Sequence, residues 1–390
     1  SVPLTKKVSG SFVDYGYPFA KTVGIILITY SLFVIGVFKI LPYGWLGIVI
    51  VTVVLGYLNW RVRKKEDEMD PRIPSAPLRA GKFGMTKLSL VIFEELLFLT
   101  TFLFLSFIRS QEPSIHGLEK FMDYGFMQSI LKSTYFPPAD MWYSPEPINY
   151  YYFGHLTGAT LIKLSRIPAN IGYNLILATI FGLAITQTFS LVINLINRAS
   201  NELKKTISNI KLILFGLIGT ILLNLAGNLH TIYFFTKGYP NDKPIEFWKI
   251  FSGFNPTAYW YPNATRFIPF TIHEFPSYSY VVADLHGHVF DIPFVLLTIA
   301  LLFVFFTSVN ISNFKFPFGL AQGGQISNLA SIRSTLYALR YTALFGFLTA
   351  IHYMTNAFDG PIYLLLIFSF YFLVFKISKQ FLFAAISTIV

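Results

Sequence analysis

Residues 88–108 read LSLVIFEELLFLTTFLFLSFI, an apolar run interrupted only by Glu94 and Glu95 and the hydroxyls of Ser and Thr. Roughly 20 such residues suffice to cross a bilayer as a helix. Runs of the same character lie on either side. They cover Thr22–Leu41, Trp45–Trp60, Gly172–Ile196, Leu212–Phe235, His288–Thr307, Tyr341–Met354 and Pro361–Phe375, and a last one begins near Phe381. The chain is 54% hydrophobic and only 13% charged, about half the charge of a soluble domain. An all-α, polytopic transmembrane helical bundle is predicted, with residues 1–390 forming a single transmembrane domain. The start without Met and the stop inside FLFAAISTIV read as a piece of a longer protein.

Charge distribution sets the expected topology. The net charge is +11, but the basic residues sit in loops between spans, where they orient helices and touch anionic lipid. Membrane lipid, and not nucleic acid, is therefore the expected partner. Arg61–Lys87 holds eight basic residues, Arg198–Lys211 carries Lys204 and Lys205, and Lys376 and Lys379 mark a third basic edge. All three fall on the cytoplasmic side if the short apolar segment Tyr150–Ile167 dips into the outer leaflet without crossing. Irregular backbone is tolerated there when protein covers it. Residues 109–170 then form a first extracytoplasmic loop with a membrane-dipping segment, and residues 236–287 a second. The expected location is the cell membrane, with the site on its extracytoplasmic side. Eleven of the nineteen carboxylates collect on that side.

The chemistry concentrates just beyond the opening run, in Glu119–His155, EKFMDYGFMQSILKSTYFPPADMWYSPEPINYYYFGH. Glu119 and Asp123 are spaced i, i+4 and share a helix face. Phe126, Ile130 and Leu131 suit an amphipathic helix lying on the membrane. Two carboxylates so close repel, which prepares a general base or a metal-ligand pair; the structural alternative is a solvated face paired with Lys120 or Lys132. Tyr150, Tyr151 and Tyr152 read either as interfacial anchors or as an aromatic wall for a sugar or isoprenoid, with His155 reaching a phosphate. In ADLHGHVFD, a continuous helix would place Asp284, His288 and Asp291 on one face and point His286 away. That set reads as a divalent cation site, for Mg or Mn, or as a polar helix entry. His273 and Glu274 lie just upstream. Asn356–Asp359 is either a turn capping the next helix or part of the site. Glu94 and Glu95 are expected to pair with a neighbouring helix.

The absence of cysteine excludes disulfides, thiolate metal sites and a Cys nucleophile. The chain also lacks a P-loop, a G-x-G-x-x-G fingerprint, HExxH and GxSxG, which counts against nucleotide-driven transport, dehydrogenase chemistry and serine hydrolysis.

The segments FEELLFLTTFLFLSFIRSQEP, GLEKFMDYGF, FPPADMW and INYYYFGH, followed by ADLHGHVFDIPF and TNAFDGP, resemble in order the bacterial and archaeal YYY membrane proteins, named for the tyrosine triplet. Phe121 stands where that pattern has proline, and Phe358 where it has tryptophan. The family's layout is in turn similar to the GT-C membrane glycosyltransferases, which move a sugar from a polyprenyl-phosphate carrier to an acceptor outside the cytoplasm. By that resemblance, Asp123 or Glu119 is the general base on an acceptor hydroxyl. Arg109, Asp140, Asn149, Tyr150, Tyr151, Tyr152, His155, His273, Glu274, Asn356 and Asp359 would bind a polyprenyl-phosphate-linked sugar. Apart from the resemblance, the Asp284, His288 and Asp291 set allows one cofactor, a divalent cation (Mg or Mn). The alternatives are a metal-dependent lipid-phosphate hydrolase, a transporter or flippase for a lipid-linked substrate, and a structural scaffold.

Overall fold

A computed structural model describes residues 2, 5–6, 9–68, 87–227, 274–308 and 329–390. Among them are twelve helices: α1 (Phe19–Val37), α2 (Trp45–Glu68), α3 (Lys87–Gln111), α4 (Lys120–Lys132), α5 (Phe153–Ser165), α6 (Ala169–Glu202), α7 (Asn209–Asn224), α8 (Pro276–Val282), α9 (Gly287–Ser308), α10 (Leu329–Thr355), α11 (Asp359–Phe375) and α12 (Lys379–Ile389). The apolar runs became helices because a bilayer leaves the backbone no other partner for its polar groups. By length and composition α1, α2, α3, α6 and α9 are each able to cross a membrane. The protein is a multi-pass helical bundle. Part of the expected second loop, including His273, lies outside the described residues, as does the end of the Leu212–Phe235 run.

Helix α6 organises the bundle. It is the longest helix and is buried along most of its length, packing against α1, α3, α5, α7 and α9. Polar side chains stitch it to its neighbours: Thr220 of α7 donates to the Ile185 carbonyl, and Asn224 donates to Thr188. Gln187 donates to Thr22 of α1. Such bonds are worth about 1 kcal/mol between helices in a membrane, where apolar burial alone gives little preference over lipid. The outward faces of α2 and α3 carry exposed Val53, Leu58, Leu96, Leu103 and Phe107, an arrangement suited to lipid.

Helix α5 is the short, central element. Its thirteen residues reach ~20 Å, short of the ~30 Å hydrocarbon core. Yet it packs against α1, α2, α4, α6, α9 and α10. Gly154 makes this possible: a Cβ there would come within 2.6 Å of Phe290 on α9. Helix α4 lies against α5, and its apolar face is turned into the protein. Phe126, Met127 and Ile130 are buried, so the amphipathic helix exists but covers protein and not lipid. Glu95 pairs with Lys21 of α1, tying α3 to its neighbour.

Candidate functional site

The ends of α4 and α5, the stretch before α9 and the tyrosine segment converge. Asp123 projects from α4 and is fully buried. Its Oδ1 accepts hydrogen bonds from His155 Nε2 at 2.9 Å and from His286 Nδ1 at 3.1 Å. Burying an unpaired carboxylate costs several kcal/mol. Two charge-assisted bonds, each worth about 1.5–3 kcal/mol, offset a penalty of that size. Burial pushes the Asp123 carboxyl upward, but the bonds from His155 and His286 outweigh it and hold it below the usual aspartate range. Its Oδ2 has no partner and is closed to solvent.

His155 is completely buried between the rings of Phe126 and Phe290, which fixes its plane. It serves Asp123 and lies out of reach of solvent. His286 is different. Its Nδ1 also lies 3.3 Å from Glu119 Oε2, and Glu119 is largely exposed. Its Nε2 sits 3.1 Å from the Tyr151 hydroxyl and 3.2 Å from that of Tyr150. Tyr150 in turn donates to Tyr151 at 2.5 Å. Burial works against the His286 cation, yet the bond to Asp123 and the carboxylates of Asp123, Glu119 and Asp284 raise its pKa. With Nδ1–H held by Asp123, the neutral ring leaves Nε2 as the proton acceptor. A continuous path therefore runs from the half-exposed Tyr150 through Tyr151 and His286 to a buried carboxylate.

A second group adjoins the first. Glu274, Asp284 and His288 place their ligand atoms within 4.8 Å of one another. His288 Nε2 lies 2.9 Å from Glu274 Oε2 and 3.0 Å from Ser279 Oγ. The bond to His288 holds the Glu274 carboxyl below its ordinary range. Asp284 is pushed up to about 6, by burial first and then by Asp123. The rings of His286 and His288 are 5.7 Å apart.

These positions correct the expected metal trio. Ala283 adopts a left-handed conformation, with φ 57°, and the helix starts only at Gly287. Asp284 and His286 therefore precede α9, and helical spacing does not govern them. His286 points into the site and not away from it. Asp291, which does lie on α9, bonds His352 of α10 at 2.8 Å and stands apart from Asp284 and His288, whose third partner is Glu274.

Other expected site residues have other roles. Arg109 donates to Asn174 at 2.9 Å and to the Ser114 carbonyl, bracing the loop after α3. Asp140 accepts from the backbone N–H of Trp142 and Tyr143, shaping a turn. Asn149 is exposed. Tyr152 packs on Phe33 of α1. Asn356 donates to Asp359 at 2.9 Å, closing the turn between α10 and α11. That turn adjoins the site, because Gly287 is close enough that a Cβ would meet the Thr355 carbonyl at 2.4 Å and the Tyr151 ring at 2.7 Å. An apolar cavity of about 270 Å³ lies farther along α9 and α10, against α1, lined by Val23, Ile26, Leu297, Leu301 and Phe347.

The chain belongs to a family of uncharacterised membrane proteins: the family model described as "Uncharacterized membrane protein (DUF2298)" matches residues 27–388. No curated protein and no solved structure matches it.

Proposed function

We propose, with membership of that membrane family as the premise, that the protein is a GT-C-like transferase. It moves a sugar from a polyprenyl-phosphate carrier to a hydroxyl acceptor at the extracytoplasmic membrane surface. The observation that carries this reading is the hydrogen-bonded series from Tyr150 and Tyr151 through His286 to Asp123. It ends in a buried, ionised carboxylate within a chain composed to sit in lipid.

In this reading His286 Nε2 takes the proton of the acceptor hydroxyl, a role the sequence had suggested for Asp123 or Glu119. Asp123 is closed to solvent, so it orients His286 and stabilises the imidazolium that forms, as the buried carboxylate does in a hydrolase triad. The acceptor oxygen forms a bond to the anomeric carbon. The bond from that carbon to the phosphate oxygen breaks, and its electron pair leaves with polyprenyl phosphate. General-base assistance of this kind is worth roughly 10²–10⁴-fold. The tyrosine pair, with rings 3.9 Å apart, offers an aromatic face to the sugar.

The test is transfer from a panel of polyprenyl-phosphate sugars by protein reconstituted in liposomes. Transfer that collapses in Asp123→Asn supports the reading, and full activity in that variant removes it. The grouping of Glu274, Asp284 and His288 favours a second reading, a lipid-phosphate hydrolase in which water replaces the acceptor. Release of free phosphate without any glycosylated product would select it.

A further inference from the structure

We infer that Glu274, Asp284 and His288 form a binding site for one divalent transition-metal cation, Mn²⁺ or Zn²⁺, with a coordination position left for a phosphate oxygen. Three observations meet here. The ligand atoms lie within 4.8 Å of one another, so a small side-chain adjustment brings all three to one ion at bond lengths near 2 Å. Asp284 is about nineteen-twentieths buried, at 5% exposure, and its Oδ1 has no hydrogen-bond partner. An unpaired buried carboxylate oxygen is costly, and a cation supplies the missing partner. The charge also balances, since two carboxylates and a neutral imidazole present −2 to a 2+ ion.

The donor set chooses among metals. Ca²⁺ and Mg²⁺ prefer shells made of oxygen, whereas one imidazole nitrogen with two carboxylates suits Zn²⁺ or Mn²⁺. Mg²⁺, equally admissible from composition, is disfavoured by His288. The number of ligands also matters. Structural zinc sites close with four protein ligands, while catalytic ones use three and keep a place for a small molecule. Here Ser279 Oγ, 3.0 Å from His288 Nε2, is a neighbour able to steady an ion-bound oxygen. Binding displaces the contact between His288 and Glu274 and leaves both as ligands.

Resting on the transferase reading, the ion's task is to hold the phosphate that leaves with the polyprenyl chain. The His288 ring stands 5.7 Å from that of His286, so proton acceptor and phosphate holder would flank one bound substrate. Binding of the ion itself does not depend on that reading.

Mn²⁺ titrated into the purified protein gives the test, because the electron paramagnetic resonance signal of free Mn²⁺ disappears on binding. One ion should bind per chain, and Zn²⁺ should displace it. Glu274→Gln, at a half-exposed position, and Asp284→Asn should each weaken binding at least tenfold, while Asp291→Asn should bind as the unmodified protein does. No loss of signal, or binding indifferent to both Glu274→Gln and Asp284→Asn, overturns the inference. Binding without any sugar transfer retains the metal site and removes the transferase. Transfer unaffected by chelators, with no Mn²⁺ bound, does the reverse.

Discussion

Two aspartate–histidine pairs lie at the same end of this bundle, and they are finished differently. Asp291 of α9 and His352 of α10 are both fully buried; both carboxylate oxygens lie within 2.9 Å of His352 Nδ1, and Nε2 is 2.8 Å from the Thr298 hydroxyl. Every polar atom of that pair is satisfied inside the protein. It reads as a clamp between two helices, of the kind a bilayer interior requires when it admits charge. Asp123 is just as buried, but one of its oxygens is unpartnered. Its partner His286 turns its other nitrogen towards half-exposed tyrosines. Burial alone does not mark a functional carboxylate. In the transferase reading, an unfinished hydrogen-bond network that leads outward does.

The largest expected effect separates the two pairs by activity. Asp123→Asn should lower transfer roughly 10²–10⁴-fold while the protein still elutes as a monodisperse folded species; equal losses from a conservative change at Asp291 would erase the distinction. Next comes stability. His352→Ala leaves Asp291 buried with only the like-charged Asp359 beside it, which should cost about 3–5 kcal/mol, read as a lowered thermal midpoint in detergent. Activity per folded molecule should survive, and an unchanged midpoint would show that the clamp holds nothing together.

A smaller effect probes the outward path. Tyr151→Phe removes one hydroxyl beside His286 Nε2, worth about 1 kcal/mol, so turnover should fall by several-fold with the fold intact. No change would place Tyr151 outside the proton path. The smallest is expected at Glu119, which is largely exposed. Glu119→Gln should alter turnover by no more than a few-fold, since exposed charge pairs contribute under ~1 kcal/mol. A loss as large as that of Asp123→Asn would make Glu119 the base.

Much of this was legible in the sequence, for identifiable reasons. The spans follow from apolar runs, since hydrocarbon forces backbone polar groups into helices. Glu119 and Asp123 share a turn because their spacing is local, and the structure brings both to His286. The tyrosine triplet and His155 lie where the loop returns to the bundle. His286 was not legible as the central group. Helical spacing over ADLHGHVFD turns His286 away from its neighbours, and only the left-handed Ala283 shows that the helix begins later. Nor was the Asp291–His352 pairing, which joins residues 61 positions apart through the packing of α9 on α10. Local periodicity carries no information about such a contact. Spacing alone leaves Glu274 just upstream of the metal set, because its nearness to His288 depends on the same break.

In the transferase reading the unfinished pair works and the finished pair only holds. Transfer from polyprenyl-phosphate sugars in liposomes, measured per folded molecule for Asp123→Asn beside His352→Ala, tests it most directly. Near-abolition is expected in the first and retained turnover in the second, despite its lower thermal midpoint. Full turnover in Asp123→Asn, or equal loss in both variants at equal folded fraction, would contradict it.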